Sequence, residues 1–222
     1  MATVKVVGDV LNRASRLLQD TAKVRYTNEE LLLFFNDAQR EVVLHRPDAN
    51  TVNFNFTCSA GSKQTLGSQD LRLVDVVRNV NGRVVTQVDR KLLDDTLPNW
   101  HNTTATLDKK IEHFIYESGD PKNFYVYPNA LNTHQLEIVT SRSPSDITVS
   151  NFSTDTQTIG LDDLYANAIL DYLLYRAYQK DSEFAGSVNQ AQMHFQSFAN
   201  GLGIKTRSDA ATDPRPNMRP AA

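Results

Sequence analysis

The sequence predicts an α+β fold: a four-helix bundle, two helices early and two late, with an inserted antiparallel β region and an extended C-terminal arm. Three observations predict it. Apolar residues recur at three- and four-residue steps near both ends of the chain, whereas the middle alternates with period two. The final stretch, KTRSDAATDPRPNMRPAA, has three prolines and no apolar periodicity, so alone in water it buries too little to order itself. The expected boundaries are residues 1–50 and 161–203 for the bundle, 51–160 for the β-rich region with one short helix, and 204–222 for the arm.

Val7, Val10, Leu11, Ala14, Leu17 and Leu18 share one face of a first helix, roughly residues 4 to 20, and Gly8 weakens its start. The second helix is the best-defined segment. Thr27 and Glu30 have the spacing of a capping box, in which each side chain satisfies the other's free backbone donor. Leu31, Phe34, Phe35, Ala38 and Val42 form its stripe, and Pro47 ends it sterically.

Val52, Phe54 and Phe56 alternate with Asn53, Asn55 and Thr57 as a half-buried strand, and SAGSK offers a hairpin return. Asn81-Gly82, between VVRNV and RVVTQV, is the firmest hairpin signal, because that dipeptide readily takes positive φ. Asp89 caps a short helix, RKLLDDTL, before Pro98. EHFIYE, NFYVYP and QLEIVTS, separated by SGDPK and NALNT, read as an antiparallel meander. Residues 142–160 read as a long exposed loop with a short strand near TQTIG. Asp162 then caps a helix to about Lys180 with Leu164, Ala168, Ile169, Tyr172 and Leu173 on its buried side. The last stripe is Val188, Ala191, Phe195, Phe198, Ala199 and Leu202, ended by Gly201 or Gly203.

Composition narrows the function. At 222 residues and a net charge of −3 the chain is large enough for a core and too acidic for indiscriminate polyanion binding. One cysteine, Cys58, excludes an internal disulfide framework and suits a reducing compartment. The longest apolar run, Leu31–Phe35, is too short to cross a bilayer, and the N-terminus lacks a secretory signal pattern. Synthesis and folding in a cytoplasm are expected.

The patterns that carry chemistry are missing. Neither phosphate-binding glycine motif occurs, nor does G-x-S-x-G. His45, His101, His113, His134 and His194 have no paired metal-ligand spacing. Cys58 at a strand end reads as a small half-buried side chain, and Asp94–Asp95 and Asp162–Asp163 read as helix-end electrostatics. No catalytic residue, cofactor or metal site is expected. The tail from Gly203 onward carries +2 and leaves −5 for the rest. A positive tail on an acidic body suits an acidic protein surface, although composition alone favours a tail without a role. Tyr165 and Tyr172 read as core, whereas Tyr175 and Tyr178 fall outside that face and are candidates for a subunit interface.

The order of motifs carries a resemblance. VRYTNEEL followed by FFNDAQREVVLHRPDA, then LRLVDVVRNVNGRVVTQVDRKLLDDTLPNWH, then LDDLYANAILDYLLYRAYQKDSE, is similar to tailed-phage head-to-tail adaptor proteins, also called head-completion or tail-accessory proteins. The resemblance implies a virion structural protein whose copies form a ring, usually twelvefold, on the portal. The ring extends the DNA channel without sequence-specific binding, helps retain packaged DNA and seats the tail or nozzle, with no membrane involved. It also makes Lys205, Arg207, Arg215 and Arg219 candidate portal contacts. Another structural virion role, such as tail-tube terminator or decoration protein, is the alternative. An enzyme acting on nucleic acid or cell wall is a weaker one.

Overall fold

The computed structural model describes residues 6–102, 110–180 and 185–212. The chain forms two compact units, one of Met1–Ala49 with Pro144–Ala222, the other of Asn50–Ser143. Each is described by itself.

The helical unit holds α1 (Val7–Leu17), α2 (Asn28–His45), α4 (Ala166–Lys180) and α5 (Ala185–Thr212). One half of the capping box is seen at α2, where the Thr27 hydroxyl accepts the Glu30 N–H at 3.3 Å. Val10, Leu11, Leu31, Phe35, Ala38, Val42, Ile169, Leu173 and Phe198 share one core. Phe35, Ile169 and Phe198 are fully enclosed, and each such side chain contributes roughly 2–3 kcal/mol of transfer free energy. Lys180 Nζ donates to Glu30 Oε2 at 2.8 Å, tying α4 to α2. The segment after residue 143 is pinned to the helices by polar side chains. Asn36 Nδ2 donates to the Ile147 carbonyl, and the Ile147 N–H returns to Asn36 Oδ1, both at 3.0 Å. The Gly160 N–H donates to Gln39 Oε1 at 2.8 Å, and a Cβ at Gly160 would meet that oxygen at 2.9 Å, so a larger residue there would have to displace the Gln39 amide. Val6 and Thr158 form an isolated bridge, which is what the TQTIG signal amounts to.

Among the described residues the second unit holds seven strands and one helix: β1 (Thr51–Thr57), β2 (Gly61–Thr65), β3 (Asp70–Asn79), β4 (Thr86–Gln87), α3 (Arg90–Thr96), β5 (His113–Tyr116), β6 (Asn123–Ala130) and β7 (Gln135–Arg142). A three-stranded sheet has the order β1-β7-β3, and a four-stranded sheet the order β2-β6-β5-β4. Their inner faces share one core, with Leu73, Val76, Leu136 and Ile138 from the first and Phe114, Phe124 and Val126 from the second.

The expected fold class is therefore corrected. The described residues hold five α-helices and two sheets with seven strands, not a four-helix bundle around a small β insertion. The expected meander splits: β5 and β6 pair antiparallel, but β7 leaves them and becomes the central strand of the other sheet. The SAGSK turn joins strands of different sheets instead of closing a hairpin. At Asn81-Gly82 the chain does turn, with Asn81 at φ 58° and the Gly82 N–H donating to the Asn79 carbonyl at 2.9 Å. Gly82 is not in the positive-φ region. The returning chain pairs briefly: the Arg78–Val84 bridge is flanked by the Asn79 N–H donating to the Arg83 carbonyl at 2.9 Å and the Val85 N–H to the Val77 carbonyl at 3.3 Å, before Thr86–Gln87 joins β5 in parallel. The buried Asn79 side chain ties this short hairpin to the chain before β5. Its Nδ2 donates to the Arg83 and Ile111 carbonyls at 2.9 and 2.8 Å, and its Oδ1 accepts the Ile111 N–H at 3.0 Å.

The extended arm is corrected as well. α5 runs through Gly201 and Gly203 to Thr212, because Leu202 between them is only 5% exposed and anchors that turn in the core. Residues 213–222 lie outside the described residues.

Candidate functional site

Cys58 is 3% exposed, and burial pushes its thiol up to about 12, which favours the protonated thiol at neutral pH. Its backbone N–H donates to the His134 carbonyl at 2.8 Å, a ladder bond. Asp94 Oδ1 accepts the Trp100 indole N–H at 2.8 Å, and Asp162 Oδ1 caps a 3₁₀ turn by accepting the Leu164 N–H at 2.9 Å. One acid of each pair therefore holds local structure. Among the described residues no group of three His, Cys, Asp or Glu side chains is placed to hold a metal ion.

Two groups form networks in the β unit. Asp70 sits beneath the first sheet, where Arg142 Nε and the Thr140 hydroxyl both donate to its Oδ1 at 2.6 Å. Burial opposes its ionisation, but these donors outweigh burial and hold the carboxyl below the usual range. His101 stacks on Trp100 at 3.6 Å between ring centroids, and its Nδ1 lies 2.8 Å from the Ser62 hydroxyl. Burial, then nearby Arg90, pushes its imidazole below the ordinary value. Beside it lies a cavity of about 280 Å³, lined by Leu97, Pro98, Trp100, Tyr127 and Asn129 among others. Asn129 Oδ1 is buried without a hydrogen-bond partner among the described residues. It is an acceptor in a mixed pocket that Thr96, Asn99 and Asn102 also line.

In the helical unit, the clearest surface feature is the α4–α5 groove. It encloses about 400 Å³ and is lined by Tyr175, Gln179, Val188, Ala191, Gln192 and Phe195. Tyr175 and Phe195 meet at 5.1 Å between centroids. Val188 and Phe195 were expected inside but are 49% and 39% exposed. Ala191 and Phe198 of the same stripe are buried, so the N-terminal half of α5 packs on α4 and leaves Val188 and Phe195 at the margin of that contact. Tyr178 stacks on His194 at 5.6 Å, and His194 Nδ1 lies 3.0 Å from Asp171 Oδ1. The structure thus places both expected interface tyrosines half-buried on one helix, with Tyr175 in the groove. Of the expected cationic contacts, Arg207 is exposed on α5 and Lys205 lies in the same helix, while Arg215 and Arg219 fall outside the described residues. The groove was legible in the sequence only as a helical stripe.

A chain with interaction surfaces and dispersed ionisable groups calls for comparison with structural families. Residues 7–220 match the profile of the SU10 adaptor protein family. The chain belongs to that family. A comparison with curated proteins finds no match. The SU10 adaptor family is a phage head-tail adaptor family, in agreement with the resemblance drawn from the sequence. The protein is thus a bacteriophage structural adaptor that works among other virion components. No helix among the described residues is long and apolar enough to cross a membrane.

Proposed function

We propose that this adaptor forms a twelvefold ring between the portal and the tail or nozzle, where it extends the DNA channel and helps retain packaged DNA. The observation that carries this reading is the family match over residues 7–220. The α4–α5 groove supports it. Apolar side chains that a soluble monomer gains nothing by exposing are grouped in one concave surface, as expected for a helix face that a neighbouring subunit covers. Tyr175 and Tyr178 lie at that subunit contact in this reading. Lys205, Arg207, Arg215 and Arg219 face the portal, where cations match an acidic surface. DNA passes through without sequence-specific contacts, because the chain's net charge of −3 gives no reason for it to adhere to the wall.

The test is to mix the purified protein with its portal and image the product. A ring stacked on the portal is the expected result. Particles of portal alone at saturating adaptor overturn the reading, and adaptor found at the tail tip or on the capsid surface of intact virions favours a terminator or decoration role instead.

A further inference from the structure

Sheet edges in this protein are managed unevenly. Strand β3 carries Asp70, Arg72, Asp75 and Arg78 and shifts register three times against β7. Strand β2 has Lys63 and a register shift between Gly61 and Lys63, and β4 is two residues long. Charge, bulges and shortness are the devices that keep an edge from pairing with another chain. Strand β1 has none of them. Its seven residues, TVNFNFT, contain no charge and no proline, and their pairing with β7 is regular throughout.

The free side of β1 can be identified. The Cys58 N–H donates to the His134 carbonyl, one step beyond the Thr57–Gln135 pair. Antiparallel bonding alternates, so Val52, Phe54 and Phe56 point their backbone groups at β7. Thr51, Asn53, Asn55 and Thr57 therefore aim theirs outward, and the side chains of these four residues are exposed. Among the described residues no strand pairs with that side.

The sequence of the edge says what fits it. Read from either end around Phe54, TVNFNFT is close to its own reverse. An antiparallel second copy would set Thr51 against Thr57, Asn53 against Asn55, Val52 against Phe56, and Phe54 against itself. These are favourable cross-strand pairs, with no like charges opposed. The outward groups of both copies would then form about eight backbone hydrogen bonds. The polar row stays on one face and the apolar row on the other, so the two three-stranded sheets become one of six strands.

We infer that the β1 edge binds the β1 edge of a second copy, antiparallel about Phe54, in the free protein. A two-fold contact of this kind closes at two copies. It therefore precedes incorporation into a cyclic assembly and shields an edge that would otherwise aggregate.

The test uses the full chain in sedimentation equilibrium. The wild type should approach twice its 24.9 kDa mass. Asn53→Lys with Asn55→Lys puts lysine opposite lysine across the axis and should weaken the pair at least about tenfold. Asn53→Glu with Asn55→Lys opposes unlike charges and should restore it. Circular dichroism confirms that each exposed double variant folds. A wild type that stays monomeric to about 100 μM overturns the inference, as does an oligomer indifferent to the lysine pair or a Glu/Lys variant no stronger than Lys/Lys. A monomer whose edge variants lose a tail-side protein assigns the edge to that protein instead. Ring formation on the portal is read separately, so either idea can fail alone.

Discussion

Asp70 shows how a single carboxylate reports on its sheet. It is 3% exposed and accepts hydrogen bonds from Arg142, Thr140 and the Gly67 backbone. Its pKa is held below the ordinary value, so its contribution is complete above the unfolded value of about 3.9 and is lost as pH falls through the folded value. Asp70→Asn leaves the Arg142 guanidinium unpaired and should cost about 2–4 kcal/mol at neutral pH. In urea titrations the gap from wild type should stay constant above about pH 5 and narrow below about pH 4. A gap independent of pH would sink this account. Cys58 gives a second residue-scale expectation. With its thiol pushed up to about 12 by burial, it should resist alkylation at pH 8 in the native protein and react promptly in denaturant. Mass spectrometry of iodoacetamide-treated samples decides the point.

At the element scale, α5 carries a cost that its packing overrides. Gly201 and Gly203 lie within the helix, and a Cβ at either meets nothing within 4 Å. Helical glycine is less favourable than alanine by roughly 0.5–1 kcal/mol, so the double substitution to alanine should stabilise the helix by about 1–2 kcal/mol. Higher ellipticity and a higher Tm are expected; a lower Tm would mean that the glycines serve a contact or bend. The same helix explains a misreading. Glycine is a good stop signal, but Leu202 is anchored in the core, and tertiary burial outweighs the local preference. The second helix shows the opposite case. Thr27, Glu30 and the Leu31–Val42 stripe all point the same way, and the helix forms where they say.

At the scale of the whole molecule, the division into a helical and a β-rich unit separates two kinds of surface. The helical unit exposes the α4–α5 groove and the Arg207 end of α5, and the β unit exposes an uncharged strand edge. Deleting Lys205–Ala222 removes residues beyond the Leu202 anchor. The truncated adaptor should fold with nearly unchanged stability and bind its portal at least about tenfold more weakly, since the arm's cations are gone. Thermal unfolding and portal pull-down check both parts. A truncated chain that unfolds, or one that docks as well as the full chain, refutes this role for the arm.

Local signals determined much of this protein: the capped second helix, the alternation at Val52–Phe56, the Asp89 cap and the family to which the motif order points. These depend on neighbours within about one helical turn or one strand, where side-chain period and capping chemistry act directly. Tertiary structure alone decided which strands pair, that β7 joins β1 and β3 instead of β6, that Asn79 ties the Asn81-Gly82 turn to Ile111, and that α5 continues past its glycines. Period-two patterns identify a strand's buried face but not its partner, because every strand offers the same backbone groups. The partner is chosen by which faces can share one core, and that choice exists only once the chain is folded.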